Sequence, residues 1–170
     1  MLIDIESVNS QSPYYVSFAD EEHSLKFTTT HDIEYKVSFI CDTSIFDGLP
    51  VYHLMFAAAN RQPQDKLFPD SNIKETIFSI VGNFLHINST AILYICEDKD
   101  ERQRCRQRLF SMWFKQATAK KDKQYAIHMT SYNIDEENIM YVGMIANTNN
   151  PNLSLYVDKF DSLKQSLQEK

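Results

Sequence analysis

Alternation of apolar and polar residues at every second position runs through the first third of the chain and most narrows its possible folds. Three segments share this pattern, 14–18, 25–27 and 33–39, and a further apolar run follows at 51–56; short polar turns separate them. Period-two alternation is typical of strands with one buried face. The sequence therefore predicts a four-stranded antiparallel meander, and residues 1–12, which lack the pattern, are expected to be a flexible lead-in.

The spacing of apolar residues changes after a loop at 57–70 that contains two prolines. From there apolar residues recur at helical spacing, and Asp70 or Ser71 is a suitable N-cap. The buried stripe of this helix is predicted to contain Ile73, Ile77, Ile80, Val81, Phe84 and Leu85. The helix is expected to end near Asn88 and Ser89.

Four more elements follow this helix. An apolar strand is predicted at 91–96, a basic helix at 101–116, and a hairpin from strands 125–132 and 138–146. Asn150-Pro151 then has the composition of an N-cap and first helical turn. The predicted class is α+β: an antiparallel N-terminal meander, then α-β-α-β-β and a C-terminal helix, in a mixed sheet flanked by helices.

Size and composition favour one packed domain. With 170 residues, 43% of them hydrophobic, the chain can build one full core, which we expect to span 13–170. No apolar run approaches the roughly 20 residues of a membrane span, and the N-terminus lacks the features of a signal peptide. Three cysteines without C-x-x-C spacing suggest reduced thiols, so we expect a cytoplasmic protein.

Charge is distributed unevenly along the chain. The net charge is −6, yet residues 98–123 hold nine Lys and Arg against four acids, a net +5 that leaves −11 for the remainder. One basic segment on an acidic protein favours an oriented, charge-complementary partner. A solvated helix face is the alternative.

Four arginines give the basic helix its character. At about 100° per residue, Arg104 and Arg108 form an outward stripe, whereas Arg102 and Arg106 fall on the apolar side. Because burying an unpaired charge is costly, the second pair needs a carboxylate, phosphate or carbonyl partner. A structural ion pair, for instance with the acids at 97–98, and an anion site both remain open. Nucleic-acid contact through the outward stripe is possible but is disfavoured by the acidic chain.

Familiar catalytic and metal patterns are missing from the sequence. The five histidines are scattered singly without metal-ligand spacing, and no nucleophile has a local partner. Three glycines cannot build a glycine-rich phosphate loop. We therefore predict no catalytic residues, no metal and no cofactor.

The element order over 25–146 resembles the core of the GNAT acyltransferases. Residues 103–115 lie where that family has an N-x-x-A-x-x-L-Y-x-x-x-G-F motif, and Leu109 matches it directly. The resemblance implies a GNAT-like sheet and, if activity is retained, acyl-CoA as cofactor. Under that alternative Arg61, Lys66, Ser71 and Asn72 would line the cofactor cleft, with Arg102 also near the phosphates.

Two departures separate this chain from the acyltransferases. The family's cofactor loop, Q/R-x-x-G-x-G/A, corresponds to residues 66–73, which contain no glycine and have Asp70 where phosphate would approach. Phe110 stands at the position of the tyrosine that often acts as general acid. The resemblance therefore implies the scaffold rather than ordinary acetyl transfer.

The chain also resembles a family of small uncharacterised bacterial proteins. The resemblance rests on a D-x-x-I-x-x-T-I pattern beginning at Asp70 and an R-x-R-L-F pattern over 106–110. No activity follows from it. We expect a non-enzymatic interaction module on a GNAT-like scaffold, with the arginines of the basic helix contacting another protein. A divergent acyl-CoA-dependent N-acyltransferase and a nucleic-acid-binding accessory protein are the alternatives, and the oligomeric state stays open.

Overall fold

The computed structural model describes residues 3–19, 24–60, 70–96, 124–133 and 139–168. Within these ranges the chain forms seven strands and three helices, which confirms the predicted α+β class. In chain order they are α1 (Ile5–Gln11), β1 (Val16–Phe18), β2 (Ser24–Thr28), β3 (Glu34–Asp42), β4 (Val51–Ala58), α2 (Ser71–Ile87), β5 (Ala91–Cys96), β6 (Tyr125–Asn133), β7 (Ile139–Asn147) and α3 (Leu153–Gln168).

The strands form a sheet in the order β1-β2-β3-β4-β5-β7-β6. β1 pairs with β2 and β2 with β3 in antiparallel fashion, as predicted for the meander. β5 pairs in parallel with β4 and antiparallel with β7, and β7 pairs along its length with β6. The chain divides into two compact units, Met1–Ile40 with Leu54–Asn88, and Cys41–His53 with Ser89–Lys170. We call them the first unit and the second unit.

Aromatic rings organise the first unit. Tyr14, Phe27, Tyr35 and Phe56 stack in succession, with centroid separations of 5.9, 5.4 and 4.9 Å. α2 packs on the same unit, because Phe84 stacks on Phe39 with centroids 4.1 Å apart. Stacked rings of this kind contribute beyond their buried area, and the stack accounts for much of the period-two pattern in the sequence.

Helix α1 lies within the segment that the sequence predicts to be a flexible lead-in. Asp4 caps it by accepting a hydrogen bond from the Ser7 N–H, and the Asp4 N–H donates to Asn83 Oδ1 at 2.9 Å. Val8 is its one buried side chain. A single apolar anchor produces no periodic signal, so the pattern that revealed α2 could not reveal α1.

The second unit has its core between α3 and one face of the strands. Nine buried residues form this core: Phe46, Val51, Ala91, Leu93, Val142, Met144, Ala146, Tyr156 and Phe160. The Tyr156 hydroxyl also donates to Pro50 O at 2.7 Å, and burial raises the pKa of that phenol. The Thr90 hydroxyl donates to the same carbonyl at 2.9 Å.

α3 begins later than the sequence indicates. Its first residue is Leu153, because Asn150 caps a separate turn by accepting from the Asn152 N–H at 2.9 Å. The Asn150 amide also donates to Thr90 O at 3.0 Å, and Asn150 is itself buried. The long-range bond therefore fixes Asn150 ahead of the helix.

A glycine in β7 provides space for an aromatic ring. Gly143 is opposite Tyr94 in the β5–β7 ladder, and a Cβ at Gly143 would overlap the Tyr94 ring. Both residues are buried, with Tyr94 4% exposed. The Tyr94 ring thus packs over Gly143, which has no side chain of its own.

We predict that Gly143→Ala lowers the free energy of unfolding by about 1–3 kcal/mol, the usual cost of overpacking a core. Urea denaturation of the variant would measure it. In a chain that also carries Tyr94→Ala, the cost of Gly143→Ala should be smaller, because the overlapping ring is gone. The costs of the two substitutions should therefore be less than additive. Gly48→Ala is the control, since Gly48 has a φ of 92° and open space around it, so Tyr94→Ala should not relieve its cost. Additive effects at Gly143 and Tyr94 would contradict the prediction.

Candidate functional site

A protein carboxylate occupies the N-terminus of α2, where the acyltransferase alternative places a cofactor. Asp70 is the N-cap, as predicted, and its Oδ1 accepts from the Asn72 N–H at 2.9 Å. Its Oδ2 accepts from the Tyr14 hydroxyl at 2.6 Å. Ser71 and Asn72, the two predicted cleft residues that the structure describes, lie exposed in the first turn.

Tyr14 links this carboxylate to the meander. Its ring is 8% exposed, and its oxygen lies 3.4 Å from both the N–H and the hydroxyl of Thr30. The positive end of the helix dipole attracts anions of any source. Here Asp70 meets that preference within the protein, so a phosphate approaching the helix end would meet a like charge.

We predict that Tyr14→Phe lowers the free energy of unfolding by about 1.5–3 kcal/mol, as expected for loss of a hydrogen bond to a charged group. Thermal and urea denaturation would measure it. The matched control is Tyr15→Phe, because the neighbouring Tyr15 is 78% exposed and should lose almost nothing. Equal effects of the two substitutions would show that the Tyr14 hydroxyl contributes no special stability.

The predicted basic site lies outside the residues that the structure describes. This holds for Arg102, Arg104, Arg106 and Arg108, and for the cleft candidates Arg61 and Lys66. Their roles stay predictions from the sequence.

A second polar cluster, which the sequence analysis did not identify, lies in the second unit. His53 Nε2 is 3.2 Å from Asp42 Oδ2, and both side chains are about three-quarters buried. Asp42 Oδ1 accepts from the N–H and the hydroxyl of Ser44, each at 2.7 Å. One carboxylate thus closes the turn after β3 with one oxygen and orients an imidazole with the other.

These contacts hold Asp42 in its ionised form. The Ser44 hydroxyl, then the Ser44 N–H, and further donation from His53 and the Ile45 N–H lower the Asp42 pKa from 3.8 to about 2, against the opposing effect of burial. An ionised carboxylate accepts only, so the proton of a neutral His53 ring lies on Nε2. Its Nδ1 is then a hydrogen-bond acceptor that can bind a donor.

Cys41 and Tyr52 form a thiol–phenol pair next to this cluster in sequence. Burial raises the pKa of the Tyr52 phenol, and Cys41 raises it further, through the negative charge of its ionised form and through a hydrogen bond between the two side chains. Cys41 is exposed and is not in a disulfide. A sequence search for short catalytic spacings misses both pairs, because their members lie on opposite sides of the turn; only Asp42-Thr-Ser44, a typical Asx-turn sequence, marks the place.

We predict that Asp42→Asn destabilises the protein most at neutral pH. The folded-state pKa of Asp42 is about 2 and lies below the ordinary value of 3.8, so its ionised form adds stability that is complete above about pH 4 and is lost as pH falls toward 2. The difference in unfolding free energy between the native and variant proteins should therefore shrink over that window. Asp161→Asn, at an exposed position of α3, is the control. A difference independent of pH would contradict the assignment.

The described ranges contain neither a cluster of metal ligands nor a membrane-spanning helix. Within them, no three His, Cys, Asp or Glu side chains come together as a metal site. None of the described helices has the length and hydrophobicity needed to cross a bilayer.

Comparison with known proteins identifies a family. Residues 69–162, more than half of the chain, match a family of unknown function (DUF6169). The chain belongs to this family. The match begins just before α2 and ends within α3, so it includes both sequence patterns that suggested an uncharacterised family. No curated protein and no solved structure matches the chain.

Proposed function

We propose that this member of DUF6169 is a non-enzymatic interaction module on a GNAT-like scaffold. The described elements support the scaffold, since β2, β3, β4, α2, β5, β6 and β7 follow one another in the order that suggested the resemblance. The proposed contact is the basic segment 101–116, with Arg104 and Arg108 facing the partner and Arg102 and Arg106 serving the fold. The favoured partner is a protein with an acidic surface.

The bond between Tyr14 and Asp70 carries the argument against an acyltransferase. In the resembled family, backbone amides at this helix end bind a pyrophosphate. Here the Asp70 carboxylate lies at the helix end and accepts a hydrogen bond from the buried Tyr14 hydroxyl at 2.6 Å. Displacing Asp70 would deprive the Tyr14 hydroxyl of its charged acceptor and leave it the more distant Thr30 hydroxyl, at 3.4 Å. The helix end is therefore better suited to holding the fold together than to holding a cofactor.

Charge supports a protein partner. The segment 98–123 is positive by five charges in a chain that is otherwise negative by eleven, and such asymmetry orients an approaching acidic surface. Cys41 is an exposed thiol, which is compatible with the reducing environment of a cytoplasm. The proposal therefore places the protein in the cytoplasm.

We predict that Arg104→Glu combined with Arg108→Glu removes the proteins that co-purify with the native chain, because reversed charges repel an acidic surface. Quantitative mass spectrometry after cross-linking in native cells would measure this. Lys26→Glu with Lys164→Glu changes the net charge equally at positions outside the basic segment and is the control. Unchanged co-purification with the arginine pair reversed, while the variant remains folded, would refute the proposal.

A ligand titration separates this function from the acyltransferase alternative. A cofactor that binds the folded state at 100 times its Kd adds about 2.7 kcal/mol of stability, which raises the melting temperature clearly. We expect millimolar acetyl-CoA and CoA to leave the melting temperature unchanged. A saturable rise with both ligands would instead favour acyl transfer.

A further inference from the structure

The outer edge of β1 has a side chain where a neighbouring strand would pair. β1 lies at one end of the sheet, so one of its edges has no strand of the described residues beside it. The Ala19 N–H donates to Ser24 O at 3.0 Å, and the register pairs Ser17 with Lys26. Alternation in an antiparallel ladder then directs the main-chain groups of Ser17 toward β2 and those of Val16 and Phe18 outward.

Asn9 of α1 satisfies both outward groups of Val16. The Asn9 Nδ2 donates to Val16 O at 2.9 Å, and the Val16 N–H donates to Asn9 Oδ1 at 2.7 Å. One carboxamide therefore supplies an acceptor and a donor together, as the peptide groups of an adjacent strand would. Because an amide fits this position, the group that could replace it is the main chain of another strand.

The edge is open just beyond the position that Asn9 protects. The outward N–H and C=O of Phe18 bond to none of the residues that the structure describes, and its ring is 54% exposed. Tyr15, on the other side of Val16, is 78% exposed. An edge strand with free main-chain groups and exposed aromatic rings is the type that pairs with another chain unless it is protected.

We propose that α1 is an edge guard, with Asn9 keeping β1 from pairing with a second copy of this chain. A second copy is the occupant that the sequence favours, because residues 14–19 carry no charge. Two such strands therefore meet without repulsion on an otherwise acidic protein. The guard is held in place by the buried side chain of Val8 and by the bond from the Asp4 N–H to Asn83.

The test removes the guard and follows molar mass. The molar mass of the native chain should not change with concentration. The molar mass of Asn9→Ala should approach twice the native value as concentration rises. Sedimentation velocity and light scattering would measure both. Asn9→Asp keeps the acceptor for the Val16 N–H, loses the donor and adds a negative charge at the edge, so it should associate more weakly than Asn9→Ala. Ser10→Ala changes the neighbouring exposed residue of α1 and should behave as the native chain does.

A second substitution distinguishes strand pairing from misfolding. Phe18→Pro deletes an N–H that points away from β2, so it leaves the β1–β2 ladder intact. Added to Asn9→Ala, it should restore the native mass. Two results would overturn the proposal. The first is that Asn9→Ala keeps the native molar mass and the native circular dichroism spectrum at every concentration. The second is that association persists when Phe18→Pro is combined with Asn9→Ala.

Discussion

Side chains that satisfy main-chain polar groups outside the β-ladders hold the described helices α1 and α3 in place. Asn9 serves both groups of Val16, while Tyr156 and Thr90 donate together to the carbonyl of Pro50. Val16 and Tyr156 are almost fully buried, and a buried polar group left unsatisfied costs about 1–3 kcal/mol. The requirement fixes where α1 lies in the first unit and where α3 lies in the second.

The parts of the fold that the sequence predicted are those in which burial is periodic. β5 has the predicted bounds because its apolar run is unbroken, and α2 begins after Asp70 because a carboxylate is the natural first cap. Both signals are local. In a strand or helix that buries one regular face, apolar residues recur at the period of that element. These elements are therefore predictable without knowledge of the tertiary structure.

Features that join distant residues were not predictable in this way. Asp42 and His53 are eleven residues apart, and Tyr14 and Asp70 are fifty-six apart. Neither pair has a spacing that selects it from the other acids, histidines and tyrosines of the chain. Helix α1 was missed for a related reason, since one buried side chain, Val8, and a bond to Val16 hold it instead of a repeated apolar face.

The same long-range bonds bear on how the chain uses its charges. Asp70 takes its hydrogen bonds from a phenol and a main-chain N–H, and Asp42 takes its two shortest from Ser44. These two carboxylates therefore accept hydrogen bonds from neutral donors. The proposed partner would supply acidic groups for the positive surplus of residues 98–123, in a chain whose remaining charge is strongly negative.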